Sequence, residues 1–111
     1  MILVHQRYFA KPGLLERVIE TRVEASRRLA ELGVPAGQIW VPVHEAGVST
    51  RGTSDPAIPD VIWECTYPNL EARERIRALQ ESDPAFHAIR TKQGTQLAQW
   101  VREHYRLFEL K

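Results

Sequence analysis

Five polar or charged residues stand within segments whose other residues favour β-strands: His5, Arg7, His44, Glu45 and Glu64. A sheet face covered by helices accepts such a side chain only if it is hydrogen-bonded or used in chemistry. A histidine titrates near neutral pH and can take a proton from an activated carbon or hydroxyl group, while an arginine can hold an enolate or a carboxylate. Four of the five, His5, Arg7, His44 and Glu64, are therefore the candidate catalytic residues.

The two-residue repeat of a β-strand places these candidates relative to one another. His5 and Arg7 share one face of the first strand. His44 from the second strand, and Glu64 or Tyr67 from the third, join them if the strand register allows it. Such a group predicts proton transfer, isomerisation or oxygenation of a small aromatic or carbonyl compound. The structural alternative turns His5 and Arg7 towards solvent or a subunit contact, with Arg7 and Glu64 as a cross-strand pair.

The elements that carry these residues follow from the hydrophobic pattern. Residues 2–9 are rich in β-branched and aromatic residues and lead into a Lys-Pro-Gly turn, which predicts a strand. Residues 14–32 repeat apolar positions every three or four residues and are followed by Gly33, which predicts an amphipathic helix. Two further β-rich segments, residues 38–48 and 58–67, predict the second and third strands.

The second half of the sequence predicts two helices and a last strand. Asn69 is a suitable cap for the helix that follows the third strand, and the Ser-Asp-Pro sequence at 82–84 is a suitable cap for the next one. Trp100 continues the apolar face of that last helix, and residues 104–110 form the final strand. The segment 47–59 is rich in Ser, Thr, Gly, Asp and Pro and is predicted to be a long solvated loop.

This order of elements indicates an α+β protein, a ferredoxin-like split βαβ fold with a four-stranded antiparallel sheet and its helices on one face. A chain of 111 residues, 43% of them hydrophobic, has the size and composition of a single domain spanning residues 1–111. The face without helices would expose large apolar residues to water unless another surface covers it. These residues are Trp40, Trp63 or the residues that alternate with them along the strands. Pairing two such faces about a two-fold axis predicts a homodimer.

Charge and cysteine content narrow the expected partners and compartment. Fifteen basic residues against 14 acidic ones leave a net charge of +1, which favours neither nucleic acid nor an anionic membrane. No apolar run reaches the roughly 20 residues of a membrane span, the first residues lack the pattern of a secretion signal, and Cys65 has no second cysteine to pair with. We therefore expect a cytoplasmic protein. Motifs with strong specificity for metals, phosphates or nucleophilic catalysis are absent, so no metal and no cofactor is predicted.

Three parts of the sequence are typical of one known family: Arg7-Tyr8-Phe9 followed by Pro12-Gly13, residues 61–73, and Asp83-Pro84-Ala85-Phe86. In these parts the sequence resembles the NIPSNAP-like members of the dimeric α/β-barrel superfamily. The resemblance extends over nearly the whole chain and implies a ligand cleft between the sheet and its helices. The superfamily includes cofactor-independent monooxygenases, haem-binding and haem-degrading enzymes, isomerases of small rings and modules of unknown role.

Three residues are the candidate ligand-binding residues: Trp63, Tyr67 and His87. A helix-borne histidine such as His87 near an aromatic strand residue such as Trp63 is similar to the haem-degrading branch of the superfamily. That branch also uses an asparagine on the first strand, where this chain has His5, Gln6 and Arg7. The structural alternatives are a solvated His87 and tryptophans that pack in the core or a dimer interface.

Three functional hypotheses result. The first is a NIPSNAP-like homodimer of uncharacterised role whose cleft binds a small hydrophobic or aromatic ligand. The second is a cofactor-independent monooxygenase or isomerase that uses the candidate catalytic residues, with haem binding or degradation as a further alternative. The third is an interaction module whose contact surface is the loop 47–59. Catalysis by the second would require at least two of those side chains to converge in one enclosed cleft.

Overall fold

The computed structural model of the chain describes residues 1–43 and 58–110. The elements follow one another as β1 (Ile2–Ala10), α1 (Leu15–Glu31), β2 (Gln38–Trp40), β3 (Val61–Tyr67), α2 (Leu70–Ser82), α3 (Pro84–Gln96) and β4 (Leu97–Arg106). His44, Glu45 and most of the predicted loop 47–59 lie outside the described residues. Within the described part the predicted order of strands and helices is confirmed.

The four strands form one sheet in the order β2-β3-β1-β4, and every neighbouring pair is antiparallel. β1 occupies a central position, with β3 on one side and β4 on the other. The register sets Gln6 opposite Trp63 of β3 and Arg102 of β4, so these three side chains point to the same face. The sheet and its three helices are the predicted ferredoxin-like α+β fold.

The helices cover one face of the sheet because each has one apolar stripe to bury. Along α1 the buried positions Val18, Ala25 and Leu29 recur at helical spacing and join a core with Val4 and Tyr8 of β1. On β1 and β3 alternate residues are buried, which is the pattern of a sheet with helices on one face only. The core therefore lies between the sheet and the helices.

The predicted caps of α2 and α3 are both formed. The Asn69 side chain accepts a hydrogen bond from the Ala72 amide at 2.8 Å, and the Asp83 side chain accepts one from the Phe86 amide at 2.8 Å. Asp83 also accepts two hydrogen bonds from the Arg28 guanidinium, at 2.8 and 2.6 Å, which tie the start of α3 to α1. The Arg28 hydrogen bond lowers the pKa of Asp83 to about 2.

Two strand boundaries differ from those predicted. Residues 97–103, predicted to continue a helix, belong to β4, which pairs with β1 along its whole length from Ile2 to Ala10. The reason is that the outer edge of β1 needs hydrogen-bond partners, and local periodicity does not reveal such long-range pairing. β2 was predicted over residues 38–48 but spans only Gln38–Trp40 among the described residues, and Pro42 lacks the amide needed to continue a ladder.

Candidate ligand-binding cleft

The helix-covered face of the sheet carries polar side chains in the middle of its core. The side chains of Gln6, Trp63 and Tyr67 point towards the helices, as do Trp100 and Arg102 of β4 by the strand register. The helices contribute the other lining residues of a partly open cavity, which are Arg22, Leu29, Arg73, Arg77, Gln80, Phe86 and Arg90. The cavity volume is about 20 Å³, which admits roughly one water-sized group.

A hydrogen-bond network holds part of this lining in place. The Gln6 Oε1 atom accepts hydrogen bonds from the Tyr8 hydroxyl at 3.0 Å and from the Trp100 indole Nε1 at 2.7 Å. The Arg22 Nη1 atom donates to the Tyr8 hydroxyl at 2.9 Å. Burial raises the pKa of Tyr8, and the nearby Arg22 opposes that rise without cancelling it. The network therefore joins β1, β4 and α1 through neutral groups and one cation.

Several donors in the same place have no partner within residues 1–43 and 58–110. They are the Arg22 Nε, Arg73 Nε and Nη1 atoms and the Tyr67 hydroxyl. Arg22 and Arg73 are only 4% and 5% exposed. Their guanidinium groups lie over aromatic rings, Arg22 at 5.1 Å from the Trp63 ring centre and Arg73 at 5.4 Å from that of Tyr67. Stacking of this kind leaves the in-plane N–H groups free to bind an acceptor.

Positive charges crowd this region and affect the pKa values of the neighbouring basic groups. Burial lowers the pKa of Arg102, and Arg90, Arg73 and Arg77 lower it further by repulsion. The pKa of His104 is lowered by burial and then by Arg73, Arg102 and Arg77, with Glu74 acting in the opposite sense. Both shifts have the direction that neighbouring like charges produce, and Arg102 and His104 are themselves exposed residues of β4.

An outer cleft adjoins this cavity, which we call the inner cavity. The outer cleft is lined by Glu81, His87, Arg90, Thr91 and Trp100 and has a volume of about 430 Å³. Arg90 and Trp100 line both spaces, so the inner cavity and the outer cleft are neighbours. A small organic molecule of this size commonly occupies a pocket of 300–1,000 Å³.

The three predicted ligand-binding residues all lie on this side of the sheet. Trp63 and Tyr67 line the inner cavity, whereas His87 lines the outer cleft. Trp63 and His87 therefore line different spaces. The inner cavity of about 20 Å³ is too small to hold a macrocycle as large as haem. The described residues do not bring Trp63 and His87 into one space, which is the arrangement that suggested the haem alternative.

The predicted catalytic residues are not brought together in the cleft. His5 and Glu64 lie on the sheet face opposite the helices, where the His5 Nδ1 and Glu64 Oε1 atoms are 2.8 Å apart. Arg7 lies on the same face, with its guanidinium 5.7 Å from the centre of the Phe9 ring. The expectation that these three side chains lie under the helices is therefore wrong, because the buried residues of β1 are the even-numbered ones. His44 lies outside the described residues.

The pairing on that face also differs from the structural alternative, which joined Arg7 to Glu64. The antiparallel register sets His5 directly opposite Glu64 and Arg7 opposite Ile62, so the partner of the glutamate is the histidine. A shift by one residue would have exchanged the faces of all these side chains.

The arginines that surround the inner cavity were missed by the sequence interpretation. One signal was present, because Arg22 lies four residues after Val18 and three before Ala25, on the apolar stripe of α1. Arg73 has a comparable position on α2, where it and Ala72 are buried. A charged residue on a buried helix stripe is a stronger indication of a site than a polar residue on a strand of unknown orientation.

Metal binding and membrane insertion find no support in the described part of the chain. No group of three or more His, Cys, Asp or Glu residues there could hold a metal ion. None of its helices combines the length and the apolar character that crossing a bilayer requires.

Comparison with known proteins shows similarity in structure only. No protein-family model matches the sequence, and no curated protein matches it. An uncharacterised NIPSNAP domain protein from Burkholderia xenovorans superimposes with a TM-score of 0.68 at 13% identity, covering 97% of this chain and 95% of that one. An antibiotic biosynthesis monooxygenase gives 0.66 at 14% identity, with coverage of 98% and 100%.

A third solved structure is a dimeric ferredoxin-like protein of unknown function from Thermobifida fusca, with a TM-score of 0.61 at 11% identity and coverage of 96% of this chain and 90% of that one. Identities this low indicate a common fold and leave activity open. The chain therefore has the ferredoxin-like fold that NIPSNAP domain proteins share.

Proposed function

We propose that the protein is a NIPSNAP-like homodimer that binds a small organic molecule in the cleft between its sheet and its helices. The observation that carries the proposal is the set of buried Arg22 and Arg73 donors that have no partner among the described residues. An unpaired buried polar group costs about 1–3 kcal/mol, more if it is charged, so a protein keeps such groups where something else binds them.

Crystals of the full chain soaked with a mixture of small aromatic acids, amides and ketones test this proposal. We expect electron density for one of these compounds in the inner cavity and outer cleft. Density confined to the opposite sheet face, with the cleft empty at every concentration tried, would contradict it.

The face without helices supports the homodimer. Its apolar side chains include Leu3 and Ile62, together with Trp40 and Tyr105, which are 52% and 46% exposed. Exposed aromatic residues in one patch are typical of interfaces. Two copies that pair through this face would also bury the His5–Glu64 hydrogen bond, and the dimeric Thermobifida fusca neighbour has the same fold.

Leu3 provides a direct test of the dimer, because it lies on central β1 between Thr66 and Tyr105. We expect Leu3→Lys to raise the dimer dissociation constant by at least about tenfold, since burying an unpaired ammonium costs several kcal/mol. Light scattering coupled to size-exclusion chromatography gives the measurement. Leu79→Lys is the matched control, because Leu79 is a 41% exposed leucine on α2. A native protein that is monomeric at high concentration, or a Leu3→Lys variant as dimeric as the control, would contradict the dimer.

Catalysis by a cofactor-independent isomerase is a second candidate function, and His104 is the residue that favours it. This histidine lies opposite Val4 on the helix-covered face and next but one to Arg102. Burial and the charges of Arg73, Arg102 and Arg77, opposed by Glu74, lower its pKa, so it is a neutral base at pH 7. A base beside arginines can take a proton from a carbon next to a carbonyl group while an arginine holds the enolate oxygen.

Phenylpyruvate, an aromatic acid with an enolisable ketone, is a suitable probe for this activity. We expect the protein to speed deuterium incorporation at its benzylic carbon, measured by proton NMR in D₂O, and His104→Gln to slow it by about tenfold or more. Because the base must be neutral, the rate should fall as the pH drops through a value below 6.5. His5→Gln is the control on the opposite face. Loss of rate in His5→Gln alone would instead favour the strand residues predicted from the sequence.

A further inference from the structure

Resting on the proposed ligand-binding function, we propose that the natural ligand is an aromatic carboxylic acid. Its carboxylate reaches into the inner cavity with one oxygen and binds Arg73 and Arg22, and its ring lies in the outer cleft against Trp100. The cleft is thus a site for an organic anion, and Arg73 is the residue that makes it selective for acids over neutral compounds.

The charge of the lining is the first argument. The residues that line the inner cavity include five arginines, which are Arg22, Arg73, Arg77, Arg90 and Arg102. Its described lining residues include no aspartate or glutamate. Glu81 pairs with Arg77 at 3.0 Å, but its side chain is 53% exposed and therefore well solvated. Burial, and then repulsion from Arg90, Arg73 and Arg77, lowers the pKa of Arg102. This excess of positive charge favours an incoming anion.

The unpaired donors are the second argument. Arg73 leaves its Nε and Nη1 atoms without a partner among the described residues, and because these atoms lie on different edges of the guanidinium group, each can donate a charge-assisted hydrogen bond to an oxygen of an anion. Arg22 adds its Nε atom, and Tyr67 adds a hydroxyl whose pKa is raised by burial, so that it stays protonated and can donate. Three groups from α1, α2 and β3 therefore offer donors to a single acceptor.

Size and surroundings decide what kind of anion fits. The inner cavity of about 20 Å³ admits roughly one water-sized group, such as one oxygen of a carboxylate, whereas the outer cleft of about 430 Å³ admits an aromatic ring. Trp100 lines both spaces, and its indole ring is held by the hydrogen bond that Nε1 donates to Gln6. A flat ring that carries an acid group would stack on this fixed surface.

Isothermal titration calorimetry with 1-naphthoate and 1-naphthamide tests the inference, because the two probes have nearly the same shape and differ in charge. We expect the native protein to bind the acid at least about tenfold more tightly than the amide, as charge-assisted hydrogen bonds typically allow. Arg73→Met should remove most of that preference, because it should weaken binding of the acid at least about tenfold more than binding of the amide. Arg75→Met is the matched control, because Arg75 lies on the same helix, is 70% exposed and should have no effect on either probe.

A merely structural role for Arg73 predicts a different pattern, in which Arg73→Met weakens both probes and lowers the urea midpoint. We expect the midpoint of the unliganded variant to stay level or rise, since the change removes a buried charge without a partner. If Arg73→Met does not fold, two measurements still test the inference. They are the acid and amide affinities of Arg22→Met and the ratio of the acid and amide affinities of the native protein. Equal binding of acid and amide overturns the inference while the proposed function stands, whereas no binding of either probe overturns both.

Discussion

Replacing Gly37 by alanine should destabilise the protein by roughly 2–5 kcal/mol, the sum of a backbone and a packing penalty. Gly37 has a φ of +72°, a conformation that costs any other residue energy. A Cβ atom there would lie 2.5 Å from the Trp63 indole ring and 2.7 Å from the Glu64 carbonyl oxygen. Neither the backbone oxygen nor the buried ring, whose Nε1 donates to the Ala36 carbonyl, can move easily.

Gly13 offers a matched control for this experiment. Its φ of +79° is nearly the same, yet an added Cβ would meet no atom within 4 Å. We therefore expect Gly13→Ala to cost only about 1–2 kcal/mol, the backbone penalty alone. The difference between the two urea unfolding curves isolates the contact between Gly37 and Trp63. Equal losses would show that Trp63 does not pack against Gly37. They would also contradict the shape of the inner cavity described above.

Gln6 should show the second largest effect, and two substitutions there should act in opposite directions. Gln6→Leu removes the acceptor that the Tyr8 hydroxyl and the Trp100 indole share. Because each unpaired buried donor costs about 1–3 kcal/mol, we expect the free energy of unfolding to fall by roughly 2–5 kcal/mol. Gln6→Glu keeps an acceptor of the same size and adds a negative charge to the arginine cluster. It should preserve or raise the free energy of unfolding.

The same pair of variants separates packing from charge in ligand binding. The carboxylate of Gln6→Glu would compete with 1-naphthoate for the cationic cavity, so we expect that variant to bind the acid at least about tenfold more weakly while it still binds 1-naphthamide. Urea denaturation and calorimetry on the two proteins give both quantities. A Gln6→Glu variant that is less stable than Gln6→Leu would contradict the excess of positive charge inferred for the cavity.

The fold was predictable because local signals and topology agree along most of the chain. The amphipathic stripe of α1, the caps at Asn69 and Asp83 and the β-rich segments each specify one element, and their order allows few arrangements. The boundary between α3 and β4 was not predictable in this way. Residues 97–103 become a strand through pairing with β1, a contact between residues about ninety positions apart in the sequence that local pattern does not encode.

The site was only partly predictable, because its location depends on which strand residues face the helices. Trp63 and Tyr67 were identified as aromatic residues of β3, and they line the inner cavity. His5 and Glu64 were assigned to the wrong face, since a period of two leaves the choice of face open until the register is known. Arg73 carries the proposed chemistry, yet in sequence it is one of several charged residues on a helix that is mostly exposed.

The three tryptophan indole N–H signals in a ¹⁵N–¹H NMR spectrum report directly where a small acid binds. Trp63 and Trp100 line the cleft, whereas Trp40 lies on the opposite sheet face. Each signal can be assigned by a single Trp→Phe variant. On saturation with 1-naphthoate we expect the Trp63 and Trp100 signals to shift and the Trp40 signal to stay in place. A shift of Trp40 alone, or no shift of any of the three, would contradict a ligand site beneath the helices.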